Sequence, residues 1–342
     1  LLVPTLGGVA DITRRKKLLL FMFTVLCCVF TFFTGFFGLL LVMVFGLLAT
    51  FFFHASLDVY DALLVNISTK RNIGFVSGLG TAVGYLGTVL SVAIAYIIGL
   101  FYGFESISGI QIVFMAAALL FFGFSLFTFF FVEEASKIKI KKQHFVAAFK
   151  RVIFTIKNIK KFKSLWLFLF ASFLYVDAAN TATIFLFLFA KDQLGMGLIQ
   201  FLPLYAIMAI AAVIGSLFFG KVTDKLGHKK TLACVLILWI VVILILYFKT
   251  SYATFLLTGI LGGALLGAIW TITRPMLVEL APKAKIAELF GYQGLTEKFS
   301  GVIGPVLFGF VAVNLGFKQS LLVVVALFLA GIIVLGFVKD KK

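Results

Sequence analysis

The chain contains little charge, and acidic residues are especially scarce. Only 13% of its 342 residues are charged, and Asp and Glu together number 13. With 63% hydrophobic residues and a mean hydropathy of +1.18, it lacks the polar surface that a soluble globular protein needs. The three cysteines, Cys27, Cys28 and Cys234, all lie inside apolar runs and therefore predict neither a disulfide nor a metal site. An ordinary soluble protein is excluded.

Long apolar runs take the place of the missing polar surface. They recur along the whole chain, and each is long enough to cross a bilayer as a helix. We predict ten complete spans, at about residues 18–36, 39–64, 76–101, 110–132, 165–190, 200–220, 231–248, 253–278, 288–314 and 319–338. Residues 1–10 have the composition of the inner end of one more span. The predicted fold class is therefore all-α and polytopic.

Two polar loops between apolar runs follow one pattern. The second, residues 220–230, reads Gly-Lys-Val-Thr-Asp-Lys-Leu-Gly-His-Lys-Lys. The first, residues 7–17, reads Gly-Gly-Val-Ala-Asp-Ile-Thr-Arg-Arg-Lys-Lys, so that Arg14 occupies the place of Gly227. A short loop that recurs after 213 residues, each time with an acid followed by bases, indicates a chain built from two parallel halves.

This pattern resembles the signature loop of the major facilitator superfamily, G-x-x-x-D-[RK]-x-G-[RH]-[RK]-[RK], which the second copy matches at every fixed position. The resemblance implies a two-bundle fold of twelve helices, so that the first helix and most of the second are expected to be missing here. Ion pairs and helix-end contacts made by such loops in one conformation only would act as gate latches. The expected latch residues are Gly7, Asp11, Arg15, Gly220, Asp224, Lys225, Gly227 and Lys229.

The basic residues indicate the orientation of the chain. The net charge is +17, and of the bases only Lys191, Lys249 and Lys318 fall on one face of the predicted topology. Because bases accumulate on the cytoplasmic side, both signature loops and the carboxyl terminus are expected there. Nucleic acid is not an expected partner, since the bases lie in short loops between spans and form no soluble basic face.

Residues 133–164 are the one long polar segment, and they divide the chain into an incomplete amino-terminal bundle (1–132) and a carboxyl-terminal bundle (165–342). An apolar stripe within this segment consists of Phe145, Phe149, Val152, Ile156 and Ile159. The opposite side carries Lys150, Arg151, Lys157, Lys160 and Lys161. We predict a basic amphipathic helix that lies in the inner headgroup layer, or that simply tethers the two bundles; the two roles are compatible.

Asp177 is the ionisable residue placed nearest the middle of a predicted span. Charge inside a bilayer is costly, and such residues usually face a cavity or a partner. No Lys or Arg lies within several residues of Asp177 in the sequence, so no local ion pair can be assigned. It could couple protons, or it could form a neutral hydrogen bond to a neighbouring helix.

A few other ionisable residues lie inside predicted spans. His54, Asp58 and Asp61 follow one another at spacings of four and three, which places them on one helix face. Arg274 and Lys298 could bind a carboxylate or could extend to the headgroups. The full set of candidate cavity residues is Asp177, Asp61, Asp58, His54, Tyr60, Tyr175, Arg274, Lys298 and Glu297.

Four further stretches carry a closer resemblance. They are residues 60–64 with 71–80 and 84–87; residues 148–163 with 173–177; Thr273-Arg274-Pro275 with 280–282; and residues 290–292 with Lys298 and 304–309. These resemble the vacuolar amino-acid effluxers linked to autophagy in fungi and their bacterial relatives. The resemblance implies efflux of small solutes, with amino acids as the expected cargo. Departures at Val65, Ala178, Asn180 and Glu297 concern the substrate more than the fold.

Taken together, these features predict a secondary active transporter with a site at midplane between two lobes, working by alternating access. The expected partners are a small solute, protons or another coupling ion, and the lipid bilayer; no cofactor is expected, the protein would be monomeric, and it would not be an enzyme. It would lie in the cell (inner) membrane of a bacterium or the vacuolar membrane of a fungus. A sugar, drug or peptide is the alternative cargo.

Two other functional classes stay open. One is a non-transporting membrane sensor or scaffold with a transporter fold. The other is a polytopic membrane enzyme that holds magnesium with the pair Asp58-x-x-Asp61. That chemistry needs two acidic clusters, and no second cluster is visible in the sequence.

Overall fold

The computed structural model describes residues 2–103, 106–133, 138 and 140–339. Every regular element in these ranges is helical, as predicted. The helices are α1 (Leu2–Thr13), α2 (Lys16–Phe33), α3 (Leu39–Asp61), α4 (Leu64–Ile67), α5 (Ile73–Tyr102), α6 (Ile107–Phe131), α7 (Lys142–Lys157), α8 (Lys163–Leu194), α9 (Leu198–Leu226), α10 (His228–Phe248), α11 (Tyr252–Leu280), α12 (Ile286–Phe299), α13 (Ile303–Leu315) and α14 (Phe317–Gly336). Short 3₁₀ turns lie at Ile159–Phe162 and Lys283–Lys285.

The ten predicted membrane spans are confirmed. Within the described ranges, ten helical stretches are long and apolar enough to cross a bilayer. One of them, Leu39–Ile67, combines α3 and α4, and another, Lys283–Leu315, contains α12 and α13 with a break between them. The shorter apolar helix α1 occupies the place of the partial span expected at residues 1–10. The chain is therefore a multi-pass membrane protein.

The chain forms two compact units, and each contains a stretch from the other half of the sequence. The first unit is Leu1–Leu63, Thr88–Lys157 and Pro282–Tyr292. The second is Leu64–Gly87, Asn158–Ala281 and Gln293–Lys342. The predicted division into 1–132, 133–164 and 165–342 follows polarity along the sequence, and it stays a prediction.

In the first unit, α2 packs against both α3 and α6. Its buried side chains recur at three- and four-residue intervals, as in Leu20, Phe23 and Cys27, so that one stripe faces its neighbours. Cys28 is also buried, as expected for a small apolar side chain in the core. Aromatic pairs extend this contact: Phe30 stacks on Phe52 with ring centroids 5.8 Å apart.

In the second unit, the contact between α9 and α11 depends on glycine. A Cβ atom at Gly215 would come within 2.5 Å of the Ala264 Cα, and one at Gly263 would meet the Met208 backbone. Helices inside a bilayer gain most of their association energy from van der Waals packing, and small residues allow their backbones to approach. The two helices therefore lie closer together than any larger side chain would permit.

We predict that Gly215→Ala lowers the unfolding temperature, because the added methyl group collides with the α11 backbone at a cost of about 1–3 kcal/mol. Gly309→Ala is the matched control, since a Cβ there meets nothing within 4 Å among the described residues. That change should be neutral or slightly stabilising, as alanine favours a helix over glycine by about 1 kcal/mol. Thermal unfolding of the purified protein in detergent measures both; equal unfolding temperatures would contradict the packing argument.

Candidate functional site

A break in a membrane-spanning helix lies beside the middle of α8. α12 ends at Phe299 and α13 begins at Ile303, so the first amides of α13 have no helical acceptors. Asp177 of α8 supplies one: its Oδ2 accepts a hydrogen bond of 2.7 Å from the amide of Gly304. Asp177 is fully buried. A carboxylate therefore sits at the amino end of a half-helix inside the membrane-spanning part of the chain.

Glycine is required at position 304 for this contact. A Cβ atom there would lie 2.9 Å from Asp177 Oδ1 and would collide with the Thr181 hydroxyl. Pro305 follows, and proline fits the first turn of a helix because it has no amide hydrogen to satisfy. Asp177 Oδ1 is buried and accepts no hydrogen bond within the described ranges. This oxygen is the one available to bind a proton or a polar group of a solute.

Polar side chains continue along the break. Asn180 donates a 3.4 Å hydrogen bond to the Ser300 hydroxyl, which in turn donates to the Glu297 carbonyl at 2.6 Å. The Glu297 carboxylate accepts from Gln293 at 2.7 Å, and Lys298 is half-buried beside it. Sequence reasoning noted Asn180 only as a departure from a related family and missed Ser300. Neither residue carries a charge, so no signal of intramembrane charge could have found them.

Two further predicted residues lie in the same unit. Tyr175 is fully buried, and its hydroxyl is 2.9 Å from the Thr273 hydroxyl of α11. Arg274 donates to the Thr81 hydroxyl of α5 at 3.3 Å, and it is close enough to Tyr85 to act on that side chain electrostatically. Sequence reasoning missed Thr81 and Tyr85. Arg274 is thus held inside the second unit.

The acidic face predicted on α3 belongs to the first unit. Asp58 is buried, His54 and Asp61 are half-buried, and Tyr60 is exposed. No group of three or more His, Cys, Asp or Glu side chains suited to a metal ion occurs among the residues described. Because Asp177 and its neighbours belong to the second unit, a single cavity lined by both sets stays a prediction.

The second signature loop caps the amino end of one helix and the carboxyl end of another. Asp224 accepts hydrogen bonds from the amides of Gly74 and Phe75, at 2.7 and 2.8 Å, in the first turn of α5. Lys229 donates to the carbonyls of Gly336 and Val338, at 3.2 and 2.5 Å, at the end of α14. An acid at an amino end and a base at a carboxyl end both oppose the charge of the helix dipole.

Gly220 allows α9 and α5 to approach in this loop. A Cβ atom at Gly220 would lie 2.9 Å from the Gly74 carbonyl oxygen. Lys225, another predicted latch residue, is exposed. The glycine and the acid therefore act on the same contact, while the lysine beside them faces outward.

The first signature loop repeats the arrangement. Asp11 accepts hydrogen bonds from the amides of Ala287 and Glu288, at 3.1 and 2.9 Å, in the first turn of α12. A Cβ atom at Gly7 would collide with the backbone of Ala287, just as one at Gly220 would collide with that of Gly74. Each loop acid thus caps a helix from the other half of the sequence. Burial raises the pKa of Asp11, which lies outside the ten spans, to about 6, although its two backbone hydrogen bonds oppose this shift.

The polar helix α7 adds contacts at the helix end that the first signature loop caps. Glu288 is fully buried and 3.0 Å from the Nε of Arg151, and it accepts a 2.5 Å hydrogen bond from Thr155. Lys285 is 3.7 Å from the same carboxylate. The prediction that Arg151 belongs to an outward basic face was therefore wrong, because a buried carboxylate attracts it inward.

The apolar stripe predicted for α7 was also displaced. The buried residues are Ala148, Val152 and Thr155, and only Val152 belongs to the predicted stripe. The cause is α1: its Gly8 lies against Ala148, with 3.1 Å between a Cβ built on the glycine and the alanine Cβ. Such a close approach selects small side chains. Residues 134–137 and 139, and the side chains of Ile159 and Lys161, lie outside the described part of the chain.

The two loops differ where the first lacks a glycine. Gly227 has a φ of 88°, and Arg14, in the corresponding position, has a φ of 54°. Arg14 is the one non-glycine residue with positive φ in the described ranges. The arginine is followed by Arg15, which is half-buried at the start of α2. The loop keeps its left-handed turn although the side chain there opposes it.

Comparison with known proteins gives one consistent assignment. Residues 67–342 match the family "Vacuole effluxer Atg22 like". The chain is 27% identical over 351 residues to the "Uncharacterized MFS-type transporter YxiO" of Bacillus subtilis (strain 168), with 100% of this chain and 82% of that protein covered. It is 27% identical over 282 residues to "Multidrug resistance protein MdtG" of Enterobacter lignolyticus (strain SCF1), covering 81% of this chain and 63% of that protein.

A solved structure supports the fold. The major facilitator superfamily proton:xylose symporter XylE superposes with a TM-score of 0.74 at 12% sequence identity, covering 100% of this chain and 85% of that one. The chain therefore has the major facilitator fold, as the signature loops predicted.

We predict that Arg14→Gly raises the stability of the protein by about 1 kcal/mol, because it removes the cost of a left-handed conformation. Arg14→Ala should give no such gain, since it keeps the Cβ atom that causes the strain. In the second loop, Gly227→Ala should lower stability. Unfolding temperatures of the three variants measure this, and an equal gain from Arg14→Ala would assign the effect to the charge.

We also predict a pH dependence from Asp11. Because burial raises the pKa of Asp11 from its ordinary value of 3.8 to about 6, the folded protein binds this proton more tightly than the unfolded chain. The contribution of Asp11 to stability is therefore greatest at acidic pH and is lost as the pH rises through 6, a change on the order of 1 kcal/mol between pH 5 and 7. Asp11→Asn should remove this contribution to the difference in unfolding temperature between pH 5 and pH 7. Asp192→Asn, which changes an exposed acid, should retain it. An unchanged difference in Asp11→Asn would contradict the assignment.

Proposed function

The chain belongs to the vacuole effluxer Atg22-like family of major facilitator transporters, and we propose that it exports small solutes, with amino acids as its cargo, in exchange for protons. The observation that carries this proposal is the Asp177 carboxylate, which is buried at the amino end of α13 with one oxygen available. Transport as such follows from the family; the cargo, the direction and the coupling ion are our proposal.

Asp177 is suited to alternate between two protonation states. The amide of Gly304 and the dipole of α13 stabilise its charged form. Desolvation inside a membrane-spanning segment penalises the same form. These two effects oppose each other, so that a proton, or a cation that replaces it, can bind and leave within one transport cycle.

An amino acid offers groups that would bind in the second unit. Its ammonium group complements Asp177, and its carboxylate complements a guanidinium, which binds carboxylates through two parallel hydrogen bonds. Arg274 supplies that guanidinium, held by Thr81. In this scheme Tyr175, Glu297 and Lys298 contribute around these two anchors. We keep His54, Asp58, Tyr60 and Asp61 of the first unit as candidate solute- or proton-binding residues.

The signature loops would control access from the cytoplasm. Asp11 and Asp224 each cap a helix whose sequence lies in the opposite half of the chain. If these caps form in only one conformation, their free energy favours that conformation over the other. We therefore assign the loops to gating and assign the solute to the spans.

A neutral sugar or a drug is the second candidate cargo. The solved and curated relatives named above include a proton:xylose symporter and a multidrug resistance protein. Such a solute would need hydrogen-bonding groups such as Asn180 and Ser300 more than the charge of Arg274. Counterflow of radiolabelled amino acids, compared with sugars, into proteoliposomes of the full-length protein separates these cargoes.

We predict that Asp177→Asn lowers amino-acid transport driven by a pH gradient at least about tenfold, yet preserves counterflow at saturating amino acid, where concentration compensates for the lost charge opposite the ammonium group. The asparagine oxygen can still accept from the Gly304 amide, but the side chain can no longer exchange a proton. Asp192→Asn is the matched control, because it changes an exposed acid on the same helix.

Gradient-driven transport that is unaltered in Asp177→Asn would remove this residue from proton coupling. Failure of counterflow with every solute in the unmodified protein would instead favour a sensor or scaffold. The two results concern different steps and can be told apart.

A further inference from the structure

The helix α7 has an outer face that the packing of the described residues leaves uncovered. At 100° per residue, Phe145, Phe149 and Val146 lie side by side, followed by Lys157 and Lys150, all within an arc of about 140°. The three apolar side chains are 39%, 47% and 49% exposed, in that order. Both lysines are exposed as well. We call these five residues the outer face of α7.

The hydrocarbon core of the membrane does not account for this face. α7 is not one of the ten spans, so its apolar side chains would meet water if nothing covered them. Its opposite face, with Ala148, Val152 and Thr155, is already occupied by packing within the first unit. Something outside the described chain must therefore cover the phenylalanines.

The tether to α8 keeps α7 close to the bilayer. α7 ends at Lys157, and the membrane span α8 begins at Lys163. The intervening residues include a 3₁₀ turn at Ile159–Phe162, which rises only about 2 Å per residue. The last residue of α7 therefore lies within about 20 Å of the first residue of α8, even if the connection were fully extended. The headgroup layer is within reach.

The charge of the segment selects one kind of surface. Residues 140–163 contain bases and no Asp or Glu. A helix with an apolar strip bordered by lysines matches an interface whose headgroups are negative and whose acyl chains begin just beneath. The surface of a protein partner carries charges of both signs, so it would not explain why this segment has no acidic residue.

We propose that the outer face of α7 docks on anionic lipid headgroups of the cytoplasmic leaflet, and that this docking holds the inner face of the helix against the first latch. The inner contacts are the pairing of Arg151 and Thr155 with Glu288, and a 2.9 Å hydrogen bond from the Tyr292 hydroxyl to the Val152 carbonyl. Glu288 is also a residue whose amide Asp11 caps.

Lipid and latch are coupled through this one helix. If anionic lipid binds α7 more tightly in the latched state than in the unlatched state, it stabilises the latched state. The stabilisation equals the difference between the two binding free energies. The consequence for transport rests on the proposed function. The docking itself does not, and it can be tested without any solute.

The first experiment places a photoreactive benzoylphenylalanine at Phe149 in the full-length protein, reconstituted in nanodiscs of phosphatidylglycerol and phosphatidylethanolamine. The matched control carries the probe at Ala147, which is exposed and lies about 160° away around the same helix. Mass spectrometry should find lipid adducts at least about fivefold more often at position 149 than at 147. Equal yields, or cross-links from position 149 to a second copy or to the scaffold protein, would overturn the docking.

The second experiment tests the charge and the coupling. Hydrogen exchange of residues 286–292 is measured in nanodiscs of phosphatidylglycerol and of phosphatidylcholine. It should be at least about threefold slower with the anionic lipid. The double variant Lys150→Glu/Lys157→Glu should lose this difference, whereas Lys191→Glu/Lys249→Glu, which removes the same charge from exposed lysines on the opposite predicted face, should keep it. Identical exchange in both lipids for the unmodified protein would refute the coupling of lipid to latch.

Discussion

Three acids of this chain cap the amino ends of helices. The first amides of a helix have no acceptor within the helix, and in a bilayer no bulk water satisfies them. Asp11, Asp177 and Asp224 each accept from such amides, in α12, α13 and α5 respectively. The protein has 13 acidic residues, and what these three share is the capping geometry, which their acidity alone does not reveal.

The three capping contacts differ in where they lie along the membrane spans. At the signature loops the capped helices α5 and α12 begin at or near the ends of candidate spans, beside the basic residues of the loops. At Asp177 the helix begins within a membrane-spanning stretch, where an unsatisfied amide or an uncompensated carboxylate is costly. Opening that contact requires another ligand for the carboxylate, and a proton or a solute ammonium group is a suitable one.

Sequence alone identified the features that depend on composition and local pattern. The ten spans follow from the length of the apolar runs, and the two signature loops follow from a motif that occurs twice. It could not identify Gly304 as the partner of Asp177, because the contact joins residues 127 positions apart and no periodicity connects them. The inner face of α7 was misassigned for a related reason: α1 and Glu288 select that face, not the hydrophobicity of α7 itself.

Helix α7 makes the surroundings of the two similar signature loops unequal. The second loop has the full motif, with Lys225 and Gly227, and its Asp224 accepts from the first amides of α5. The first has Ile12 and a strained Arg14 in those places, so its turn is less favourable. Arg151 and Thr155 compensate by fixing Glu288 at the helix end that Asp11 caps. Among the described residues, α7 therefore contacts the helix end capped by the signature loop that departs from the motif.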